Sequence, residues 1–538
     1  MLRLTNIRLA LDHSENELET AIHKKLGIQP EDLLSYSIVK RSYDARRKNE
    51  IKLVYTLYVE VRHEKDVLRQ KRKDNTVQVT PDTRYKFVVQ APDHSHQRPL
   101  IVGTGPCGLF AGLLLAQMGF NPILLERGKP VRERTVDTFG FWRQRELDPE
   151  SNVQFGEGGA GTFSDGKLHT QIKDKRHLGR KVLTEFVEAG APEEILYISK
   201  PHIGTLKLVK IVEKMRNTIQ DLGGEFRFQS RVEDLIIDDG QLQGVVLDDG
   251  EKIHSDHVIL AIGHSARDTF QMLDQRGVQI EAKPFSMGLR IEHPQTMIDE
   301  CRFGQNAGNP ILGAADYKLV HHSSNGRSVY SFCMCPGGTV LAAASEPGTI
   351  VTNGMSQYSR NAGNANSAIV VEVFPKDYPE GPLAGIEYQR KWEKRAFELG
   401  GSTYDAPAQL VGDFLAGRPS TDLGAVQPSY KPGVHLGDLS SSLPDYIIEA
   451  IREALPIFEK QIQGFVMPDA VLTGVETRTS SPIRILRGRD FQSVNITGLY
   501  PAGEGAGYSG GILSSAVDGI KVAEAVALSI AKASKLEV

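Results

Sequence analysis

An apolar run, Leu100 to Val102, breaks into Gly103-Thr104-Gly105-Pro106-Cys107-Gly108 and resumes as an apolar stretch to about Met118. A second apolar run, Pro122 to Leu125, ends at Glu126. The pattern reads as strand, glycine turn, helix, strand, acid, and each part has a chemical task. Gly103 permits the tight turn. Gly105 lets the backbone approach a pyrophosphate, and Gly108 lets the helix pack on its sheet. Pro106 and Cys107 open that helix, whose N-terminus presents the positive end of its dipole to phosphates. Glu126 is placed to bond a ribose hydroxyl. Dinucleotide binding is therefore expected. An ordinary tight turn would leave the terminal acid unexplained.

Three more segments point the same way. Glu126 is followed by Arg127, Gly128 and a basic run containing Arg134. This E-R-G pattern resembles FAD-binding proteins more than NAD dehydrogenases, and Arg127 and Arg134 are expected to contact the cofactor. HVILAIGHSARDT (257–269) resembles the strand that returns under the cofactor in such proteins and ends in a glycine turn, here at Ala261 and Gly263. GLYPAGEGAGYSGGILSSAVDGIKVAE (498–524) resembles the closing motif of two-dinucleotide-binding-domain flavoproteins. By that resemblance Ala502-Gly503-Glu504 holds the ribityl and pyrophosphate, with Glu where many relatives have Asp. The helix starting near Gly510-Gly511-Ile512 points at the flavin. The backbone at Val232 would contact adenine.

NVQFGEGGAGTFSDGKLHT (152–170) carries Gly156, Gly158, Gly159, Gly161 and Gly166. Amides exposed in such a loop can touch a pyrophosphate or a flavin, so Gly158, Gly159, Ala160 and Gly161 are expected cofactor contacts. A plain flexible loop is the alternative.

The candidates for chemistry beyond the cofactor are Cys333, Cys335 and Arg478. Cys333 and Cys335 have C-x-C spacing within VYSFCMCPGGTV. They read either as small hydrophobes buried on a strand or as a thiol on the substrate side of the flavin. Strand alternation places both on one face, which makes a disulfide between them geometrically poor. A metal site lacks a matching Cys/His pair, and none is expected. Arg478 reads as the binder of an anionic group, as a counter-charge to reduced flavin, or as half of a structural ion pair. NGMSQYSRNAGNANSA (353–368) reads as a polar loop, lining a pocket or lying on the surface.

The rest of the chain positions these residues. Its 538 residues carry 63 basic and 67 acidic side chains, a net charge of −4 that gives no global pull toward nucleic acid or anionic membrane. No apolar window is long enough for a membrane helix, no signal sequence is evident, and four cysteines make no disulfide framework. Cytoplasm is the expected compartment. Residues 1–90 are basic, with 18 Lys and Arg against 13 Asp and Glu. They alternate in the order β-α-β-β-α-β, a ferredoxin-like split unit. Arg41, Arg46, Arg47 and Lys48 lie around its central hairpin. RNA contact and a solvated hairpin tip are the two readings, and the lack of an obvious interleaving of aromatics with these basic residues favours the second.

The expected class is α/β: a Rossmann-like FAD-binding domain with an inserted α+β substrate domain and an N-terminal ferredoxin-like domain. The boundaries are 1–95, 96–275, 276–470 and 471–538, the second and fourth segments forming the FAD domain. The polar linker 91–98 and the self-contained N-terminal pattern predict that removal of residues 1–95 leaves a folded core.

GTGPCGLFAG, FGEGGAGTFSDGK, CMCPGG, ETRTSSPIRI and PAGEGAGYSGGI together resemble a bacterial family of FAD-dependent, or NAD(FAD)-utilising, dehydrogenases. The resemblance implies a non-covalently bound FAD and an oxidoreductase passing hydride at the flavin, its small-molecule substrate not named by the fold. A single dinucleotide fingerprint implies that NADH or NADPH, if used, binds only transiently. A flavin-binding accessory or RNA-modifying protein, docking a macromolecule through its basic N-terminal unit, is the alternative.

Overall fold

The computed structural model describes residues 1–92 and 97–536. The middle of the expected linker, residues 93–96, and residues 537–538 lie outside the described residues.

Five short strands form a parallel sheet in the order Leu499–Pro501, Val258–Leu260, Leu100–Val102, Ile123–Leu125, Glu225–Arg227. The first four are buried along their whole length, which is why they read as continuous apolar runs. Helix Pro106–Gln117 packs against helix Ile512–Leu536 on this sheet. Cys107 through Ala116 are all buried, so the helix is apolar on every side. Two glycines allow the close approach. A Cβ on Gly112 would lie 2.7 Å from Leu124 Cδ2, and one on Gly519 would overlap the carbonyl oxygen of Cys107.

A three-stranded antiparallel meander covers Val232–Asp238, Gln241–Leu247 and Lys252–His254. The sequence pattern extends this meander from 225 to 260. The structure instead gives the two outermost strands, Glu225–Arg227 and Val258–Leu260, to the parallel sheet.

A seven-stranded sheet runs in the order Val320–His322, Ser328–Cys335, Asn364–Val373, Phe285–Pro294, Val471–Glu476, Ala406–Leu410, Val434–Leu436. Helix Asp445–Glu459 packs on its centre. Two sequence readings change here. Val471–Glu476, grouped by sequence with the C-terminal cofactor segment, pairs between Phe285–Pro294 and Ala406–Leu410. The polar stretch 353–368 is not a loop throughout: Thr352–Ser356 and Asn364–Val373 are strands. Asn366 Oδ1 accepts from Arg290 at 2.6 Å and Ser367 Oγ donates to the Phe332 carbonyl at 3.2 Å, while Asn366 Nδ2 is buried without a partner.

In the N-terminal part, an antiparallel sheet has the order Leu33–Asp44, Lys52–Val61, Leu2–Ala10, Val77–Val79. This sheet is docked on the rest of the chain rather than merely tethered to it. Arg41 exchanges backbone hydrogen bonds with Tyr197 and Ser199 at 2.6 and 2.9 Å. Asn306 Nδ2 donates to the Lys48 carbonyl at 2.9 Å. Tyr43 meets Phe303 edge-on, and Ile51 is buried in the core of the seven-stranded sheet. Deleting residues 1–92 is therefore expected to lower both the melting temperature and the solubility of what remains, because this apolar surface becomes exposed. Thermal melts and size-exclusion chromatography of residues 97–538 check this. A truncation as stable and monodisperse as the full chain would show that the docking contributes nothing.

No helix among the described residues is long and apolar enough to cross a membrane.

Candidate functional site

The C-terminal ends of the parallel strands open onto a cavity of about 380 Å³. Ligands of open α/β sheets bind at this edge. Gly103 makes the turn with φ +97°, and a Cβ there would lie 2.5 Å from the Ala261 carbonyl oxygen. Gly108 packs beneath the turn, where a side chain would overlap the Gly103 carbonyl. Gly105 differs from both. Its φ of −69° suits any residue, and a Cβ would meet only Gly159 Cα, at 3.7 Å. Gly510 faces open space, and Gly511 nearly so. These glycines leave room in the cavity and relieve no clash within the protein.

Two helix N-termini converge there: Gly105 caps Pro106–Gln117, and Gly510 and Gly511 precede Ile512–Leu536. Unpaired amides and aligned dipoles at such ends favour negative charge. Ser230, Arg231 and Val232 line the cavity, together with Glu126 and Arg127, while Ala261 and Gly263 line it at the returning strand. Gly159, Ala160 and Gly161 complete the glycine-loop wall.

Several expected contacts take other roles. Arg134 is fully buried away from the cavity; its guanidinium donates to the carbonyls of Asn152, Val153 and Glu157 at 2.7–2.8 Å. It shapes the glycine loop from behind. Gly158 also faces away, against Thr162 and Val212. Gly503 packs on Cys107, and its amide donates to Asp518 at 2.8 Å. Glu126 lines the cavity, but its carboxylate is already engaged. Oε2 accepts from the amide and hydroxyl of Thr104 at 3.0 and 2.6 Å, and Oε1 from the amides of Gly128 and Gly156 at 3.0 Å. A carboxylate offers about four acceptor positions, so any further donor to Glu126 would have to displace one of these, and the Thr104 hydroxyl is the one free to rotate. Arg127 pairs with Glu150 and Asp268 and lies 4.0 Å over the Phe155 ring.

Arg478 reaches the cavity wall with its donors occupied. It pairs with Glu393 at 3.0 and 3.1 Å and donates to Ser265 and Ser345 at 3.0 and 2.6 Å. Glu393 also pairs with Arg267 at 2.7 and 2.8 Å. Of the readings open for Arg478, the buried ion pair is the one present.

Cys333 lines the cavity, whereas Cys335 is fully buried behind it. The shared strand face expected from alternation is broken by a bulge: Phe332 pairs with Ala368 but Cys335 with Asn366. Glu504 also lines the cavity, half-buried. Burial pushes its carboxyl up to about 7, while Lys283 opposes the shift. The four cysteines are free thiols. Among the described residues no cluster of His, Cys, Asp and Glu is placed to hold a metal.

Thr104, Lys167, Phe332 and Asn353 line the same cavity. Each lies within a segment that the sequence singles out, yet none is marked there as a site residue, because their side chains converge only where the two sheets meet.

A protein of Clostridium beijerinckii, described as an uncharacterized protein, is 49% identical over 525 residues, covering 97% of this chain and 98% of its own. Residues 284–479 match the family described as FAD-dependent protein, C-terminal domain-like. The chain belongs to this FAD-dependent family. Residues 1–60 match a domain of unknown function. Solved structures overlap with the chain partially. Glycine oxidase from Bacillus cereus has a TM-score of 0.32 at 11% identity, covering 81% of this chain and 95% of that one. The glycerol-3-phosphate dehydrogenase from Bacillus halodurans, complexed with FAD, has a TM-score of 0.35 at 13% identity, covering 82% and 66%.

Proposed function

We propose that the chain is an FAD-dependent oxidoreductase that holds FAD non-covalently and moves a hydride to or from a small-molecule substrate, with NADH or NADPH as a transient reductant. One observation carries this reading. Two helix N-termini and the open faces of Gly105, Gly510 and Gly511 converge on one cavity. The residues fit the cofactor. Gly105 and the first turn of its helix would hold the pyrophosphate, Glu126 the adenosine ribose, Val232 the adenine edge, and Gly510 to Ile512 the flavin ring. FAD supplies an acceptor and donor of electron pairs. The chain's own groups do the rest. Cys333, Phe332, Asn353 and Lys167 wall the far side of the cavity, and Glu504 is poised to take or give a proton near neutral pH.

We read the parallel sheet and meander as the FAD domain and the seven-stranded sheet as the substrate domain. The N-terminal sheet is a ferredoxin-like unit. Its basic hairpin does not favour an RNA-docking role: Arg46 pairs with Asp44, Arg47 with Glu50, and Arg41 lies over Tyr197 in the docked interface. Cytoplasm remains the compartment we infer.

The purified protein is expected to be yellow, and denaturation without proteolysis should release FAD and not FMN, identified by mass spectrometry. Stopped-flow mixing with NADH and NADPH should bleach the flavin with at least one of them. Recovery of FMN, or of no flavin after reconstitution, would refute the reading.

A further inference from the structure

We propose that Cys333 and Cys335 are a redox-active dithiol that exchanges two electrons with FAD held in this cavity. The proposal rests on the flavin reading above.

The backbone brings the two thiols together. Between Phe332 and Cys335 the strand advances three residues while its partner, Ala368 to Asn366, advances two. The extra residue bulges, and a bulge re-aims side chains. Cys333 takes φ +46°, a left-handed conformation that costs a non-glycine residue energy and clusters at functional positions. Two cations hold the bulge: Lys167 Nζ donates to the Met334 carbonyl, and Arg290 Nη1 to that of Cys333 at 3.4 Å. Cys335 folds back so that its Sγ lies 3.2 Å from the Cys333 carbonyl oxygen. The pair is thus stacked, Cys333 on the cavity wall and Cys335 directly behind it.

The surrounding charges make the two thiols unequal. A hydrogen bond from Cys335, then the charges of Lys167 and Arg290, hold Cys333 below the usual thiol range against burial and Glu476. Cys335 is pushed well up by its hydrogen bond to Cys333 and by burial, with Asp165 adding to the shift and Lys167 opposing it. Glu504 faces Cys333 from the turn before the C-terminal helix. An accessible low-pKa thiol backed by a buried partner is the asymmetry that thiol–disulfide chemistry uses.

The step balances as follows. The Cys333 thiolate, its proton already passed to Glu504, and the Cys335 thiol lose two electrons and one proton, and one S–S bond forms between them. Both electrons and that proton pass to oxidised FAD. The reverse reaction reduces the disulfide when NADH or NADPH has reduced the flavin.

Anaerobic dithionite titration of the holoprotein, pre-treated with oxidised glutathione and desalted, tests the proposal. The wild type is expected to take about four electrons per FAD and the double variant Cys333→Ser with Cys335→Ser about two, since the dithiol is a separate two-electron couple. A readout independent of flavin chemistry accompanies it. Alkylation under denaturing conditions, followed by peptide mass mapping, should find Cys333 and Cys335 joined to each other, without added glutathione mass, after oxidised glutathione and free after dithiothreitol. A wild type that binds FAD, takes two electrons and shows both thiols alkylated after oxidant overturns the dithiol and leaves the flavin reading intact. A chain that retains no FAD overturns the flavin reading and this exchange with it.

Discussion

Gly105→Val is expected to abolish flavin retention while the chain stays folded. The backbone at Gly105, with φ −69° and ψ −176°, is open to any residue, and a Cβ there touches only Gly159 Cα at 3.7 Å. The added Cβ meets the protein only at ordinary van der Waals distance. It occupies the space between the backbone and an approaching pyrophosphate. Retention should weaken more than tenfold, ~1.4 kcal/mol or more. The ratio of visible flavin absorbance to protein absorbance reads the loss, and far-UV circular dichroism reads the fold. Gly108→Val is the contrast, because its side chain would overlap the Gly103 carbonyl and disrupt helix packing. Full occupancy in Gly105→Val would place the phosphate site elsewhere.

Glu393→Gln should be the most destabilising conservative substitution near the site. Glu393 is fully buried and its carboxylate joins Arg267 to Arg478, with Thr477 Oγ1 donating at 2.8 Å. Removing its charge leaves two buried guanidinium groups under-compensated, a loss of ~3–5 kcal/mol. The exposed pair of Arg484 and Glu281 is the control, worth under ~1 kcal/mol. The effect has a defined pH dependence. Although burial alone would raise the Glu393 carboxyl, Arg267 and Arg478 together hold it well below the usual glutamate range. Its stabilisation is therefore fully present above the unfolded value of about 4.3 and is lost as pH falls toward the lower folded value. Urea melts of wild type and variant should differ widely at neutral pH, and the gap should close in acid. An equal gap at every pH would assign the loss to packing instead of charge.

The cofactor half of the site is local in sequence. Gly103, Gly105, Gly108 and Glu126 fall within 24 residues of one strand-turn-helix-strand unit. Their spacing determines which amide, which glycine face and which acid meet, because a βαβ unit has one geometry at its phosphate turn. The later segments at Ala261 and Gly510 were legible for the same reason: each ends a buried strand or starts a helix at the same sheet edge.

Tertiary packing decided the rest. Arg134 sits in a basic run beside the cofactor motif, yet its helix turns the side chain into the core behind the glycine loop. Nothing in the local sequence marks that direction. Three readings stay open for Arg478 in the sequence, and only Glu393, 85 residues away, selects the ion pair. The bulge at Cys333 overturns the simple alternation of its strand, because the strand must match a partner whose register is held by the rest of the seven-stranded sheet. The sequence by itself determined the strand-turn-helix-strand unit and its glycine turn, which depend on neighbours along the chain. The tertiary structure alone decided which charges are spent inside and which thiol reaches the cavity, because those depend on partners brought from distant strands.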